Sequence, residues 1–547
     1  MTAYLVGGGI ASLSAAVFLI RDAGFPGPDI HILEELPRLG GALDGSGDPM
    51  GGFVARGGRM LEEEAYVCLW NLLDTIPTLT DASTSVKDEI WAFNATWPTD
   101  ARARLISANR IVEDAADLGF DNRDRIELTR LLALTERAIG SRRIDELFSE
   151  HFFATHFWTL WRTTFAFQNW HSAVELKRYF LRFIQEFPRV HTLAGVRRTR
   201  LNQYDSIVAP IQAWLDEHGV VIEHGVRVTD VDFGTDPADR RITRLYLSRD
   251  GRPGAYDLGA GDLAFLTIGS MTADSAQGDD HHPAALVRDK RDGAWGLWEN
   301  IARKAPDLGH PDAFTGDVDR TKWESFSLTM RSPLLLRRIQ EFTGNAPGTG
   351  GLMTFADSPW LMSIVVPHQP HFAGQPDNVH TLWGYGLFID EPGDFVDTTM
   401  AEATGQQILT ELLGHLGFTE ATEEIRRTTS VVPVMMPYVT SQFQCRDSTD
   451  RPPVVPERAR NFALLGQFVE IPEDVVFTVE YSVRGAMHAV YELLHVDLEI
   501  PSVYHGLTNP KVAVETLAAA FGHRRLTPVT SARQTATPAR LSRAGPG

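Results

Sequence analysis

Hydrophobic residues at the start of the chain fall into runs broken by glycine. Ala3 to Val6 is a short apolar run, Gly7-Gly8-Gly9 follows, and Ile10 to Ile20 is a longer apolar stretch. Asp29-Ile30-His31-Ile32-Leu33-Glu34 then reads as a second strand ending in an acid, which makes a β-turn-α-β unit within about 35 residues. Residues 219–232 (GVVIEHGVRVTDVD) and 264–268 (AFLTI, closed by Gly269) read as further strands, and 461–466 (NFALLG) as another that stops at a glycine. Helical periodicity runs through 482–494 (SVRGAMHAVYELL).

Parts of one nucleotide-binding sheet are therefore scattered along the chain, with inserts between them. The expected fold class is α/β: a Rossmann-type FAD-binding domain carrying a mostly helical substrate insert and a mixed α/β insert. The expected division is 1–75, 196–275 and 456–495 for the FAD-binding parts. A helical, aromatic-rich insert occupies 76–195, with Phe152, Phe153, Trp158, Trp161 and Trp170 prominent. A mixed insert fills 276–455 and a helical segment 496–523. Residues 524–547 hold five arginines and no acid among Ser, Thr, Pro and Ala, and are expected to be disordered.

Composition narrows the field. The chain has 547 residues, too many for one core, and a formal charge of −20. Such a charge argues against nucleic acid, which needs clustered Lys and Arg, while a local basic patch could still touch a membrane. Two cysteines, Cys68 and Cys445, give no disulfide framework and fit a reducing cytoplasm. The dinucleotide strand begins so early that no signal peptide is expected, and no apolar stretch reaches spanning length.

Gly7-Gly8-Gly9-Ile10-Ala11-Ser12 matches G-x-G-x-x-G except at its last position. Gly7 permits the tight turn, Gly9 lets backbone approach a pyrophosphate, and the helix start offers free N–H groups to the phosphates. The final position serves helix–strand packing, where a small Ser12 suffices. Glu34, 27 residues after Gly7, is suited to a ribose hydroxyl and disfavours the 2′-phosphate of NADP. A second glycine cluster (Gly40, Gly41, Gly45) follows closely, which favours FAD over a nicotinamide.

Longer blocks are more specific. GGGIASLSAAVFLIRD from Gly7, ARGGRM from Ala55, CLWNLLDTIPTL from Cys68, FWTLWRTTFAFQNWHSAVELKRY from Phe157, NQYDSIV from Asn202, PYVTSQF from Pro437 and DVVFTVEYSVRGA from Asp474 resemble the oleate hydratase family, formerly called myosin-cross-reactive antigens. The resemblance covers residues 3 to 523. It implies addition of water across the cis-9 double bond of an unsaturated fatty acid such as oleate, giving the 10-hydroxy acid. It also implies FAD without net redox change, more active when reduced. The proton-donor tyrosine falls on Tyr179. Arg56-Gly57-Gly58-Arg59 matches a flavin-proximal loop, whose paired glycines permit unusual backbone and whose arginines suit pyrophosphate or carboxylate. Further candidate cofactor contacts are Glu35, Val228, Gly269, Ser270, Gly466, Phe477 and Thr478.

Two positions depart from the family. Its water-positioning glutamate aligns with Met60, which cannot accept a proton; the candidates to aim water instead are the loop backbone or, if the loop shifts, Glu62, Glu63 or Glu64, against the reading of these three as solvated acids opening a helix. Of the Thr, Asn and His that hold the substrate carboxylate, this chain has Val365, Pro367 and His371; Gln203 matches another carboxylate contact, and His368 is a candidate compensator. His171, Glu175 and Tyr179, four residues apart, are expected along one helix face. Rival readings are a flavin-dependent fatty acid isomerase or oxidoreductase, and a fatty-acid-binding protein that has lost catalysis. Relatives dimerise through an arm ahead of the first strand; only two residues precede Ala3, so a monomer is expected, with a homodimer left open.

Overall fold

Ala3–Val6 lies at the centre of a five-stranded parallel sheet, between Ile30–Glu34 on one side and Leu263–Thr267 on the other. Val221–His224 extends the first edge and Phe462–Leu465 the second. The computed structural model describes residues 1–58, 60–236, 239–289, 292–420 and 422–520. The three inner strands are near-continuous apolar runs because both faces of a parallel sheet are covered. The helix Ile10–Arg21 buries ten of its twelve residues, and Val479–Leu494 packs against it. The α/β class and the Rossmann-type sheet read from the sequence are thus present.

The run 219–232 splits between two sheets. It breaks at Gly225, which has φ +70°, so Val221–His224 joins the parallel sheet while Val226–Phe233 starts a three-stranded antiparallel one. The segment 76–195 carries the helices Val86–Thr96, Asn122–Ala133, His156–Phe165 and Ala173–Arg182. It also lends Leu105–Ile106 to the edge of a seven-stranded sheet built otherwise from residues 276–436.

That larger sheet faces two ways. Phe326, Leu328 and Met330 of its strand Trp323–Met330 point into a second core with the helix Gly405–Leu416. The alternate residues face the nucleotide-binding half, as strand pleating requires. There Thr329 Oγ1 accepts from the Phe53 N–H at 2.8 Å and Ser327 Oγ from the Ala55 N–H at 3.2 Å. The hairpin Gly45–Asp48/Gly52–Ala55 is pinned by these bonds, and the chain leaving it carries Arg56-Gly57-Gly58 into the seam between the two sheets. The last described helix is Pro510–Ala520; the tail 524–547 lies outside the described residues. Among the described residues no helix is long and apolar enough to cross a membrane.

Candidate active site

The seam holds a cavity of about 440 Å³ that runs from the glycine turn to Tyr179. At the turn, Gly7 has φ +88° and donates to Leu33 O at 2.8 Å, which bends the chain off the strand end. Gly41 sits so close that a Cβ on it would come within 3.3 Å of Gly9 Cα, and the Gly40 N–H reaches Gly8 O at 2.9 Å. The two glycine loops therefore form one cradle. The helix Ile10–Arg21 starts at Gly9 with no side-chain cap and no acid in its first turn, so its leading N–H groups face the cavity free of side-chain acceptors. That is an anion site by geometry and by the helix dipole.

Glu34 closes the cradle. Its carboxylate accepts from the Gly8 N–H at 2.5 Å and the Leu36 N–H at 2.7 Å, and burial pushes its pKa up. Glu35 pairs with Arg227 and accepts from the Gly293 N–H at 3.0 Å. Gly7, Gly9, Ile10, Ala11, Glu34 and Glu35 all line the cavity, as do Gly41 and Val228. Ser12 meets the cavity with no side chain. Its Oγ lies 3.4 Å from Val6 O and 3.3 Å from Thr267 Oγ1, so its side chain ties helix to sheet and does not line the cavity.

Arg56 fixes the next loop by donating to Asp44 Oδ1 at 2.7 Å, Gly41 O at 2.6 Å and Thr272 O at 3.2 Å. Gly58 lies flat on Trp383; a Cβ there would meet the indole at 3.0 Å. Arg56 and Gly58 line the main cavity, Gly57 the adjoining pocket, and Arg59 lies outside the described residues. From the far side come Gly269 (φ +66°), Ser270, Gly466 (φ +100°), Phe477 (φ +67°) and Thr478, whose hydroxyl caps the helix Val479–Leu494.

The other end is aromatic. Tyr179 is buried on Ala173–Arg182, with the rings of Phe165, Phe167 and Phe443 centred 5.1, 5.0 and 5.6 Å from its own. Its hydroxyl donates to Val476 O at 2.6 Å. His171 precedes the helix, whose N-cap is Ser172, so the proposed common face of His171, Glu175 and Tyr179 does not form. Burial and Arg162 push His171 down to about 3. Glu175 is clamped by Arg446 at 3.2 Å and Arg451 at 3.0 Å, and an ion pair rather than the phenol occupies it.

Met60 lines the cavity, but the neighbouring acids do not. Leu61–Glu62 pairs with Val196–Arg197, and this short ladder turns the acids away. Glu62 accepts from the Ala65 N–H at 2.5 Å and Gln185 Nε2 at 3.2 Å; burial and the nearby Glu64 and Glu186 push its carboxyl well up. Glu63 accepts from Arg197 Nε at 3.0 Å, and Glu64 lies 3.7 Å from Arg189. The expectation that one of them takes over from the missing glutamate has no geometric basis, because each is committed elsewhere.

A smaller pocket of about 50 Å³ adjoins the cavity and shares Gly58, Met60, Thr164 and Phe477 with it. Val365 lines it; Pro367 lines neither space and its carbonyl accepts from Gln369 Nε2 at 3.1 Å. Gln203 is buried with both amide atoms unpartnered, and His371 has an unpartnered Nδ1 and is pushed by burial to about 3. The two are linked through Asn202, whose N–H donates to His371 O at 2.7 Å. His368 stands edge-on to Phe93 and Trp97 at 5.2 and 5.5 Å. Sequence reasoning missed Arg198, which lines the small pocket; the basic run Arg197-Arg198 after the aromatic insert was the available signal.

A parallel sheet that presents a glycine turn and an uncapped helix start to a long cavity defines a dinucleotide-binding α/β protein of the Rossmann type. Within that class the chain belongs to the MCRA family, whose model matches residues 1–491. It is 40% identical over 519 residues to an oleate hydratase of Streptococcus pyogenes serotype M49 (strain NZ131), covering 92% of this chain and 87% of that one. It is 33% identical over 538 residues to a linoleate hydratase of Lactiplantibacillus plantarum, covering 91% and 94%. Among solved structures, wild-type putrescine oxidase bound to putrescine has a similar fold, with a TM-score of 0.50 at 11% identity over 90% of this chain and 99% of that one.

Proposed function

We propose that the protein adds water across a cis double bond of an unsaturated fatty acid, oleate to 10-hydroxystearate, with FAD in the main cavity and no net redox change. The observation that carries the reading is the continuous space between a dinucleotide cradle and a buried tyrosine hydroxyl, in a chain related to two fatty acid hydratases. The residues fit FAD. The uncapped helix start suits its pyrophosphate, Glu34 the ribose, and Gly269, Ser270, Gly466 and Thr478 the remaining length of the cavity. The bound flavin, most effective when reduced, would supply an electrostatic and shape-giving wall rather than electrons.

The chain's own groups then divide the work. An isolated alkene is a poor base, so protonation needs a placed acid in a dry site, and Tyr179 is the acid in this reading. Its O–H points at Val476 O, so rotation about the phenolic C–O bond redirects the proton to the alkene. Phe165, Phe167 and Phe443 keep bulk water out. Water for the developing cation is aimed by the backbone around Gly57 and Gly58, because Met60 has no basicity and the nearby glutamates are turned away; the proton this water sheds as the C–O bond forms returns to the Tyr179 oxygen and restores the acid. Analysis of the product of oleate and FAD-loaded protein tests this: a product heavier by one water supports it, unchanged mass with a moved double bond replaces it by isomerisation, and recovered oleate by binding alone.

A further inference from the structure

Three arginines have no carboxylate partner among the described residues: Arg104 and Arg162 are buried, and Arg198 is half-buried with its Nε shut off from solvent. Arg104 gives Nη1 to Leu352 O and Nη2 to Thr164 Oγ1, both at 3.1 Å. Arg162 gives Nη2 to Gln168 Oε1 at 2.5 Å and lies over the Phe388 ring, 4.5 Å from its centroid. Arg198 gives Nη2 to Gly350 O at 3.0 Å, and its Nε has no acceptor. Burial lowers all three, to about 10, 9 and 10 respectively, which leaves each charged at neutral pH. A buried guanidinium without a counter-charge is costly, so such a group is retained where something else supplies the charge.

Of the three, it is Arg198 that lines one of the two cavities described above. Its pocket is walled by Val365, Leu352, Trp383 and Tyr385 and opens beside Met60. It lies within electrostatic reach of Arg104 and of His371, whose Nδ1 is unpartnered. A pocket of about 50 Å³ with largely apolar walls, one guanidinium and the unpartnered N–H groups of Arg198, Trp323 and Trp383 suits a small monoanion on a hydrocarbon chain. We propose that Arg198 anchors the carboxylate of the fatty acid substrate, supplying as charge what Val365 and Pro367 lack as side-chain donors. The assignment rests on the fatty acid reading for the class of ligand, though not on hydration itself.

Stearate, which has no double bond, separates the two. Holoprotein should bind stearate roughly 10- to 100-fold more tightly than methyl stearate, the range of a charge-assisted hydrogen bond in a buried site. Arg198→Met should abolish that preference and raise KM for oleate while keeping the FAD spectrum; Arg198→Lys should keep part of it. Arg198→Met binding stearate within about threefold of wild type overturns the assignment. So does wild-type protein that binds ester and acid equally, a comparison that needs no folded variant. Arg198-dependent stearate binding without turnover of oleate would remove the hydratase reading and leave the anchor standing.

Discussion

Replacing Tyr179 by Phe removes one oxygen from the place where the proposed chemistry happens. The ring keeps its packing against Phe165, Phe167, Phe183 and Phe443, so the structural cost is confined to the hydroxyl. Val476 is fully buried, and its carbonyl loses a donor now 2.6 Å away. Leaving a buried acceptor so deprived costs about 1–3 kcal/mol, which a domain of ordinary stability, about 5–15 kcal/mol, survives. Loss of a general acid should lower turnover by about 10²–10⁴, a barrier rise of about 3–5 kcal/mol. The two effects separate in one assay: turnover of saturating oleate by gas chromatography, at matched FAD occupancy and below the melting transition. Turnover within about threefold of wild type would remove Tyr179 from the mechanism and leave its hydroxyl a packing group.

Other changes have equally definite expectations. Glu34→Arg should weaken FAD binding at least about tenfold in absorbance titrations, since it unties Gly8 and puts a cation where a ribose hydroxyl is expected; NADP binding without FAD binding would refute the assignment. Met60→Glu should be at least as active as wild type, increasingly so as pH rises through a carboxyl pKa raised by the pocket, whereas Met60→Ala should cost less than Tyr179→Phe. A Met60→Ala variant as inactive as Tyr179→Phe would give the thioether a role not accounted for. Asp292, which caps the helix Gly293–Lys304, is raised to about 7 by burial, Glu35 and Asp274. Between its ordinary 3.8 and that value the folded state holds a proton that the unfolded chain has released. Stability of FAD-free protein should therefore fall as pH rises through this window, by at most about 1.4 kcal/mol per unit. Asp292→Asn should flatten the slope of melting temperature against pH; an unchanged slope contradicts the cause given.

What was readable in the sequence was what local pattern controls. The strand, glycine turn and helix at 3–20 form from neighbours in the chain, and Glu34 closes them one strand later, so their geometry follows from spacing. The packing use of a small residue at Ser12 was likewise legible, although its side chain makes no wall of the cavity. Features set by distant pairing were not legible. Glu62 and Glu63 are turned away by a ladder with Val196–Arg197, more than a hundred residues on, which no local periodicity announces. Gly225 divides one apolar run between two sheets, and Leu105–Ile106 leaves a helical region to pair with Thr354 and Phe355. Arg198 reads as surface charge until Gly350 and the larger sheet close over it.

Hydration without net redox is tested most directly by oxygen-labelled water. FAD-loaded, reduced protein is incubated with oleate in labelled water under exclusion of oxygen, and product mass and remaining reductant are measured together. One labelled oxygen per product molecule with reductant unspent is the result expected here. An unlabelled product, a product of unchanged mass, or reductant consumed mole for mole would contradict it.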